Sequence, residues 1–145
     1  MTAQEMWQAY SALAPDETRG KSYEAWAFGT DPDELAALVL SGKKTATASA
    51  WPEYEDEGLS MPEPGGYNII LNTAGEAVCI IRDTQFTRVP FNEMTERQAF
   101  KEGEGDRSLA YWKKVHTEAF TRHIGSRFNP EMLVVCQEFE KVYPQ

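Results

Sequence analysis

Two cysteines, Cys79 and Cys136, are too few to staple a chain of 145 residues into a disulfide scaffold. Each lies inside a strand-like run, so both are expected as buried free thiols in a reducing compartment, which places the protein in the cytoplasm. Basic residues are also scarce. Fourteen Lys and Arg against 23 Asp and Glu leave a net charge of −9 and a pI near 4.7. That balance excludes broad binding to a nucleic-acid backbone or an anionic membrane, though not a small basic pocket for one nucleotide. No apolar run approaches the roughly 20 residues needed to span a bilayer. Met1–Tyr10 has neither the basic start nor the continuous apolar stretch of a secretory signal. A Rossmann fingerprint and a P-loop are both missing. His116 and His123 lie seven apart on one helical stretch, with no cysteine at a metal-site interval. No metal or cofactor is therefore expected, and each histidine reads as a satisfied or surface residue rather than a ligand or base.

What is present is enough apolar material for one core. Hydrophobic residues make up 41% of the chain and aromatics 12%, and the length suits one domain over residues 1–145. Thr2–Leu13 reads as a helix with Met6, Trp7, Tyr10 and Leu13 on one side. Ser22–Phe28 is a strand candidate. Asp31, Pro32 and Glu34 have the order of a capped helix start, and Ser41-Gly42 ends that helix. Thr45–Trp51 alternates, with Thr45, Thr47, Ser49 and Trp51 on one face and alanines on the other. Pro52–Gly66 reads as a long acidic loop, able to act as a lid or hold a short turn. Tyr67–Leu71 and Ala77–Val89 form an antiparallel pair. Asn92–Lys101 carries a capping-box pattern at Thr95 and Gln98. Ser108–His123 is a helix, and Leu133–Tyr143 a closing strand. The pattern fits an α+β domain on a mostly antiparallel, strongly curved sheet.

Two stretches carry chemistry-bearing residues. In Gly42-Lys43-Lys44-Thr45-Ala46-Thr47-Ala48-Ser49, two lysines sit where a helix meets a strand, followed by three hydroxyls on one strand face. Lysine supplies a mobile point charge for phosphate, or a base where desolvation lowers its pKa. Threonine orients a ligand or, beside a base, attacks a carbonyl. In Glu102-Gly103-Glu104-Gly105-Asp106-Arg107-Ser108, acids and an arginine precede a helix whose first N–H groups lack partners. Solubilising lysines and a simple cap are the plainer readings of the same residues.

Several motifs together resemble the ASCH domain family. They are Trp26-x-Phe28-Gly29, the run from Leu35 through Gly42-x-Lys44-Thr45-x-Thr47, Glu102-Gly103-Glu104-Gly105-Asp106-Arg107-Ser108-Leu109-x-x-Trp112, and the ending Phe128-x-x-x-Met132-Leu133-Val134-Val135-Cys136-x-x-Phe139. The resemblance runs over residues 23–143, with helix 2–13 as an addition. It implies a PUA-like fold, a curved antiparallel β-barrel with flanking helices. It also implies RNA or a small nucleotide or modified nucleoside as partner, held in a cleft beside the barrel.

One member type resembles an amidohydrolase that deacylates N4-acetylcytidine, and another cuts RNA. By motif, the amidohydrolase roles pass to Lys44 as base, Thr47 as nucleophile and Glu102 as proton donor or base-edge contact. Trp26 or Phe28 would stack on the base. Lys43, Thr45, Ser49, Glu104 and Arg107 complete the candidate ligand-binding set. Glu102 and Glu104 compete for the glutamate role. Strand alternation puts Lys43 on the face of Thr45 and Thr47, yet a turn at Gly42 is able to break that parity, so Lys44 is taken first. Many relatives carry Gly-Asp where this chain has Gly65-Gly66, and the arginine that often follows the strand threonine is absent. The sequence leaves open whether catalysis follows binding, and it leaves the oligomeric state open.

Overall fold

The computed structural model of the protein describes residues 1–145. Five strands form one sheet: β1 (Tyr23–Trp26), β2 (Ala46–Ala50), β3 (Tyr67–Leu71), β4 (Ala77–Pro90) and β5 (Leu133–Tyr143). Their spatial order is β1-β3-β4-β5-β2. Six α-helices accompany them: α1 (Ala3–Leu13), α2 (Pro15–Thr18), α3 (Pro32–Leu40), α4 (Trp51–Asp56), α5 (Glu96–Glu102) and α6 (Leu109–Ile124).

This sheet corrects the expected barrel. β1 pairs with β3 in parallel, the other pairings are antiparallel, and β1 and β2 are separate edges that do not meet. The result is an open, mixed sheet without strong curling. A local reason for the open edge is visible at β2. The Thr45 N–H donates to the Lys101 carbonyl at 2.7 Å, and the Gln98 side-chain amide donates to the Thr47 carbonyl at 3.4 Å. Helix α5 thus occupies the groups that a closing strand would need.

The β-branched run of β3 and β4 supplies the centre. Ile69, Ile70, Ile80 and Ile81 are all fully buried, each contributing about 1.5–3 kcal/mol of transfer free energy. Neighbours in sequence face opposite sides of the sheet. Ile69 and Ile80 meet Met6 and Tyr10 of α1, whereas Ile70 and Ile81 meet Ala36 and Val39 of α3. A third cluster joins Trp112, Phe120 and Ile124 of α6 to Val134 and Cys136 of β5. Helix α1 is fixed by a reciprocal cap between Thr2 and Glu5, with bonds of 2.8 and 3.1 Å. Leu13, expected on its buried side, is 74% exposed because the helix stops there, past its contacts with the sheet.

Local expectations fail at three caps or boundaries. Asp31 precedes α3 but makes no side-chain cap bond, because its backbone is left-handed with φ 43°. Trp51 opens α4 instead of ending β2, so part of the expected Pro52–Gly66 loop is helical. Thr95 caps α5 through the Gln98 N–H at 3.1 Å, but the Gln98 side chain turns inward and does not complete the box. The two cysteines are buried and unbridged. Burial pushes both thiols up to about 12, aided at Cys136 by the nearby Glu102 charge.

Candidate functional site

The site begins at the turn after α3. Gly42, at φ 84°, lets the N–H groups of Lys43 and Lys44 both reach the Leu38 carbonyl at 3.1 Å. β2 starts only at Ala46, so strand alternation does not extend back to the lysines. Lys43 stays exposed and Lys44 turns inside, where it is 1% exposed. Gly103 makes this packing possible. At φ 74°, a Cβ there would lie 2.5 Å from the Lys43 carbonyl oxygen. The backbone of the α3–β2 turn therefore rests directly on the end of α5, bringing Lys44 beside Glu102 and Glu104.

Those three residues form a buried charge cluster. The Lys44 ammonium donates to Glu104 Oε2 at 2.8 Å and to the Glu102 carbonyl at 3.4 Å, and lies 3.8 Å from Glu102 Oε1. It also sits 5.3 Å from the centre of the Phe28 ring. On the other side, Glu102 Oε2 accepts the Trp112 indole N–H at 2.6 Å and the Gln98 amide at 3.0 Å. Glu102 Oε1 is the single buried side-chain oxygen or nitrogen without a hydrogen-bond partner. Its neighbour is His116 Nε2 at 3.4 Å.

The His116 ring fixes the meaning of that contact. Its Nδ1 lies 2.8 Å from the Trp112 carbonyl, which can only accept, so Nδ1 carries a hydrogen. Nε2 and Oε1 then attract one another only when a further proton lies between them. Burial works against an ionised Glu102, but His116, Lys44 and Gln98 outweigh it and hold the carboxyl below its ordinary range. The imidazole is also stacked on the Trp112 indole, with centroids 4.1 Å apart.

In front of this cluster opens a cleft of about 850 Å³, lined by the sheet, by α4 and the segment that follows it, and by α6. Trp26, Phe28, Thr47, Ser49 and Glu104 line it. Lys44 and Glu102 do not, and lie buried in the structure behind Glu104. Lys43, Thr45 and Arg107 are outside it. The Thr45 hydroxyl lies 3.4 Å from the Lys101 carbonyl. Arg107 lies 3.6 Å from the Phe100 ring centre and reaches the carbonyls of Phe100 and Lys43. It ties the last turn of α5 to the α3–β2 turn. The hydrogen bonds of the Lys44 ammonium go to Glu104 and a carbonyl, and none goes to Thr47.

Several cleft residues had no place in the sequence-based set. His116 and His123 both face the space, and so do Tyr54 and Phe86. Asn68, Asp83 and Gln137 make a polar row on three adjacent strands. A signal for that row exists in the sequence. Two-residue periodicity puts Asn68 on the face of Ile70, Asp83 on that of Ile81 and Gln137 on that of Phe139, so three polar residues occupy a core face. Asp83 also bears on the Gly65-Gly66 departure, since a Cβ on Gly66 would sit 3.5 Å from Asp83 Oδ2.

The charge of the lining is one-sided. Glu24, Glu53, Glu57, Glu63, Asp83 and Glu104 face the cleft, while no lysine or arginine does. Burial raises the Asp83 carboxyl above its usual range, against the lowering effect of hydrogen bonds from Gln137 and Asn68.

An open α+β sheet carrying an aromatic-walled, acidic cleft defines the class. The ASCH domain family matches residues 24–143, and the chain belongs to that family. The ASCH domain from Lactobacillus crispatus JV V101 is 32% identical, with a TM-score of 0.90 over 97% of this chain and 94% of that one. Protein EF3133 from Enterococcus faecalis V583 is 33% identical, with a TM-score of 0.83 over 97% and 92% of the two chains. The hypothetical protein PH0355, 18% identical with a TM-score of 0.58 over 83% of this chain and 100% of that one, shares the fold. No curated protein matches the chain.

Proposed function

We propose that the cleft binds a nucleoside-sized ligand through its base and disfavours phosphorylated forms of it. The observation that carries this reading is the lining: six carboxylates, no lysine or arginine, and flat walls from Trp26, Phe28, Tyr54 and Phe86. A volume of about 850 Å³ lies within the usual range for small-molecule sites, roughly 300–1,000 Å³. Aromatic side chains hold single bases by stacking. Each carboxylate about 4 Å from a phosphate charge costs about 1 kcal/mol in a water-like medium and about 4 kcal/mol at an effective dielectric of 20. Family membership suggests RNA or a nucleotide, and the lining favours the phosphate-free end of that range. Calorimetry on cytidine, guanosine and their 5′-monophosphates tests it. The nucleosides are expected to bind at least about tenfold more tightly, which is about 1.4 kcal/mol. Equal or tighter binding of the monophosphates refutes the proposal.

A second reading, an amidohydrolase acting on N4-acylated cytidine, is favoured by Thr47, a hydroxyl-bearing residue, lining the cleft. Thr47 Oγ would bond to the acyl carbon as the C–N4 bond breaks, the hydroxyl proton would pass to the departing cytosine amine, and water would then hydrolyse the Thr47 ester to release the acid and restore the hydroxyl. Lys44 is held by Glu104 and Glu102, so its part in that reading needs a proton path from Thr47 through the cleft. Thr47→Val keeps the volume and removes the hydroxyl. Loss of product formation from N4-acetylcytidine with binding retained supports this reading. No turnover by the wild type leaves a binding module, and equal turnover by both proteins removes Thr47 as the nucleophile.

A further inference from the structure

On the cleft floor Asp83 is fixed from both sides by neutral donors. Asn68 Nδ2 donates to its Oδ2 at 2.9 Å, and Gln137 Nε2 donates to its Oδ1 at 2.6 Å. Asn68 is itself oriented by the Trp26 indole N–H at 2.9 Å. Four strands thereby contribute to the placement of one carboxylate. The backbone adds to it: Asp83 accepts from the Gly65 N–H at 2.8 Å and donates to the Gly66 carbonyl at 2.9 Å. A shift of register between Asp83 and Gln85 lies next to this residue, and such irregularities re-aim side chains beside functional sites.

Asp83 as a whole is 8% exposed, and no lysine or arginine pairs with its carboxylate. Burying an unpaired charge is unfavourable, and a neutral amide could cross-link these strands without that cost. Each carboxylate oxygen has two acceptor positions. One on each is taken, which leaves one on each for a guest in the cleft.

We propose that Asp83 is a specificity-determining residue that accepts the exocyclic amino group of the ligand base, so the site selects amino-bearing heterocycles over their oxo counterparts. This rests on the reading of the cleft as a nucleoside site. An ionised carboxylate only accepts, so an N–H edge pairs with it. A carbonyl oxygen in the same place meets another acceptor. Sites built around a buried polar group discriminate strongly against the analogue that leaves that group unpaired.

Two matched pairs isolate the amino group. Cytidine and uridine exchange amino for oxo at position 4 of the pyrimidine, and adenosine and inosine exchange them at position 6 of the purine. The wild-type protein is expected to bind the amino member of each pair at least about tenfold more tightly. Asp83→Asn, checked for folding by thermal melting, is expected to narrow both gaps to under about threefold, since the new amide oxygen can still accept from Asn68, which Trp26 holds in place, while the Gln137 amide turns to accept from the new NH2. Equal affinity of the wild type within both pairs overturns the role of Asp83 while the base-binding reading stands. Binding of none of the four overturns both. The wild-type comparison decides even if the variant does not fold.

Discussion

Lys44→Met removes the one lysine or arginine charge paired with Glu102 and Glu104. The lysine side chain is wholly buried, as is that of Glu102, which is 2% exposed, while that of Glu104 is 22% exposed. Methionine keeps most of the apolar stem against Phe28. Breaking a buried ion pair by removing one partner costs about 3–5 kcal/mol, because the other charge remains without compensation. Glu104 can turn toward the cleft and its water, so the loss belongs at the lower end, about 3 kcal/mol. With a urea slope of about 1–3 kcal/mol/M, the midpoint should fall by about 1–3 M.

The effect should also depend on pH in a set direction. Glu102 titrates below its ordinary value in the folded protein. The stability it contributes is complete above the unfolded value of about 4.3 and disappears as pH falls through the folded value. Lys44 is one cause of that lowering. Wild-type and variant stabilities should therefore stand apart above about pH 5 and converge as the carboxyl protonates. Lys44→Met combined with Glu102→Gln should recover part of the loss. A difference under about 1 kcal/mol at pH 7, or a gap of constant size down to pH 3, refutes the reasoning.

Two further outcomes test the frame around the site. Gly103→Ala should be among the most damaging single changes, about 3 kcal/mol or more, because it combines a left-handed backbone with a Cβ 2.5 Å from the Lys43 carbonyl oxygen; denaturant unfolding within about 1 kcal/mol of the wild type would show that the two segments are free to separate. Cys79 and Cys136, with thiols near 12, should resist a disulfide reagent at pH 8 until the protein unfolds, and rapid labelling of both in the native protein would contradict their burial.

Much of the element order could be read from residue patterns. β3, β5 and most of β4 lie where alternation and β-branched content put them. The inward choice of Lys44 over Lys43 depended on whether the Gly42 turn breaks parity, which alternation alone does not decide. The barrel expectation came from the family resemblance, and strand patterns, which carry no information about edges, offer nothing to correct it. Nothing in Thr45–Ala50 says that Gln98 and Lys101, some fifty residues on, will take up its free carbonyl and N–H. The sequence offers Arg107 as a charge beside a glycine-rich turn, and its bonds to Phe100 and Lys43 arise only when the end of α5 meets the distant α3–β2 turn. Asp83, Asn68 and Gln137 were legible in principle as polar residues on a core face. Their convergence depended on strand order, above all on β5 lying between β4 and β2.

The same strand order sets a timetable for the protein's synthesis. β2, which carries Thr47, has one strand neighbour, and that neighbour is β5. Its register pairs Ala46 with Glu138 and Ala50 with Val134, so the partner is made about ninety residues later. At about 5–20 residues per second, β2 waits on the order of ten seconds for its ladder. Alanine, threonine and serine give it too little apolar surface to fold early by itself. One wall of the cleft therefore forms only after most of the sheet has been translated, and an incomplete chain cannot present the assembled cleft to a ligand.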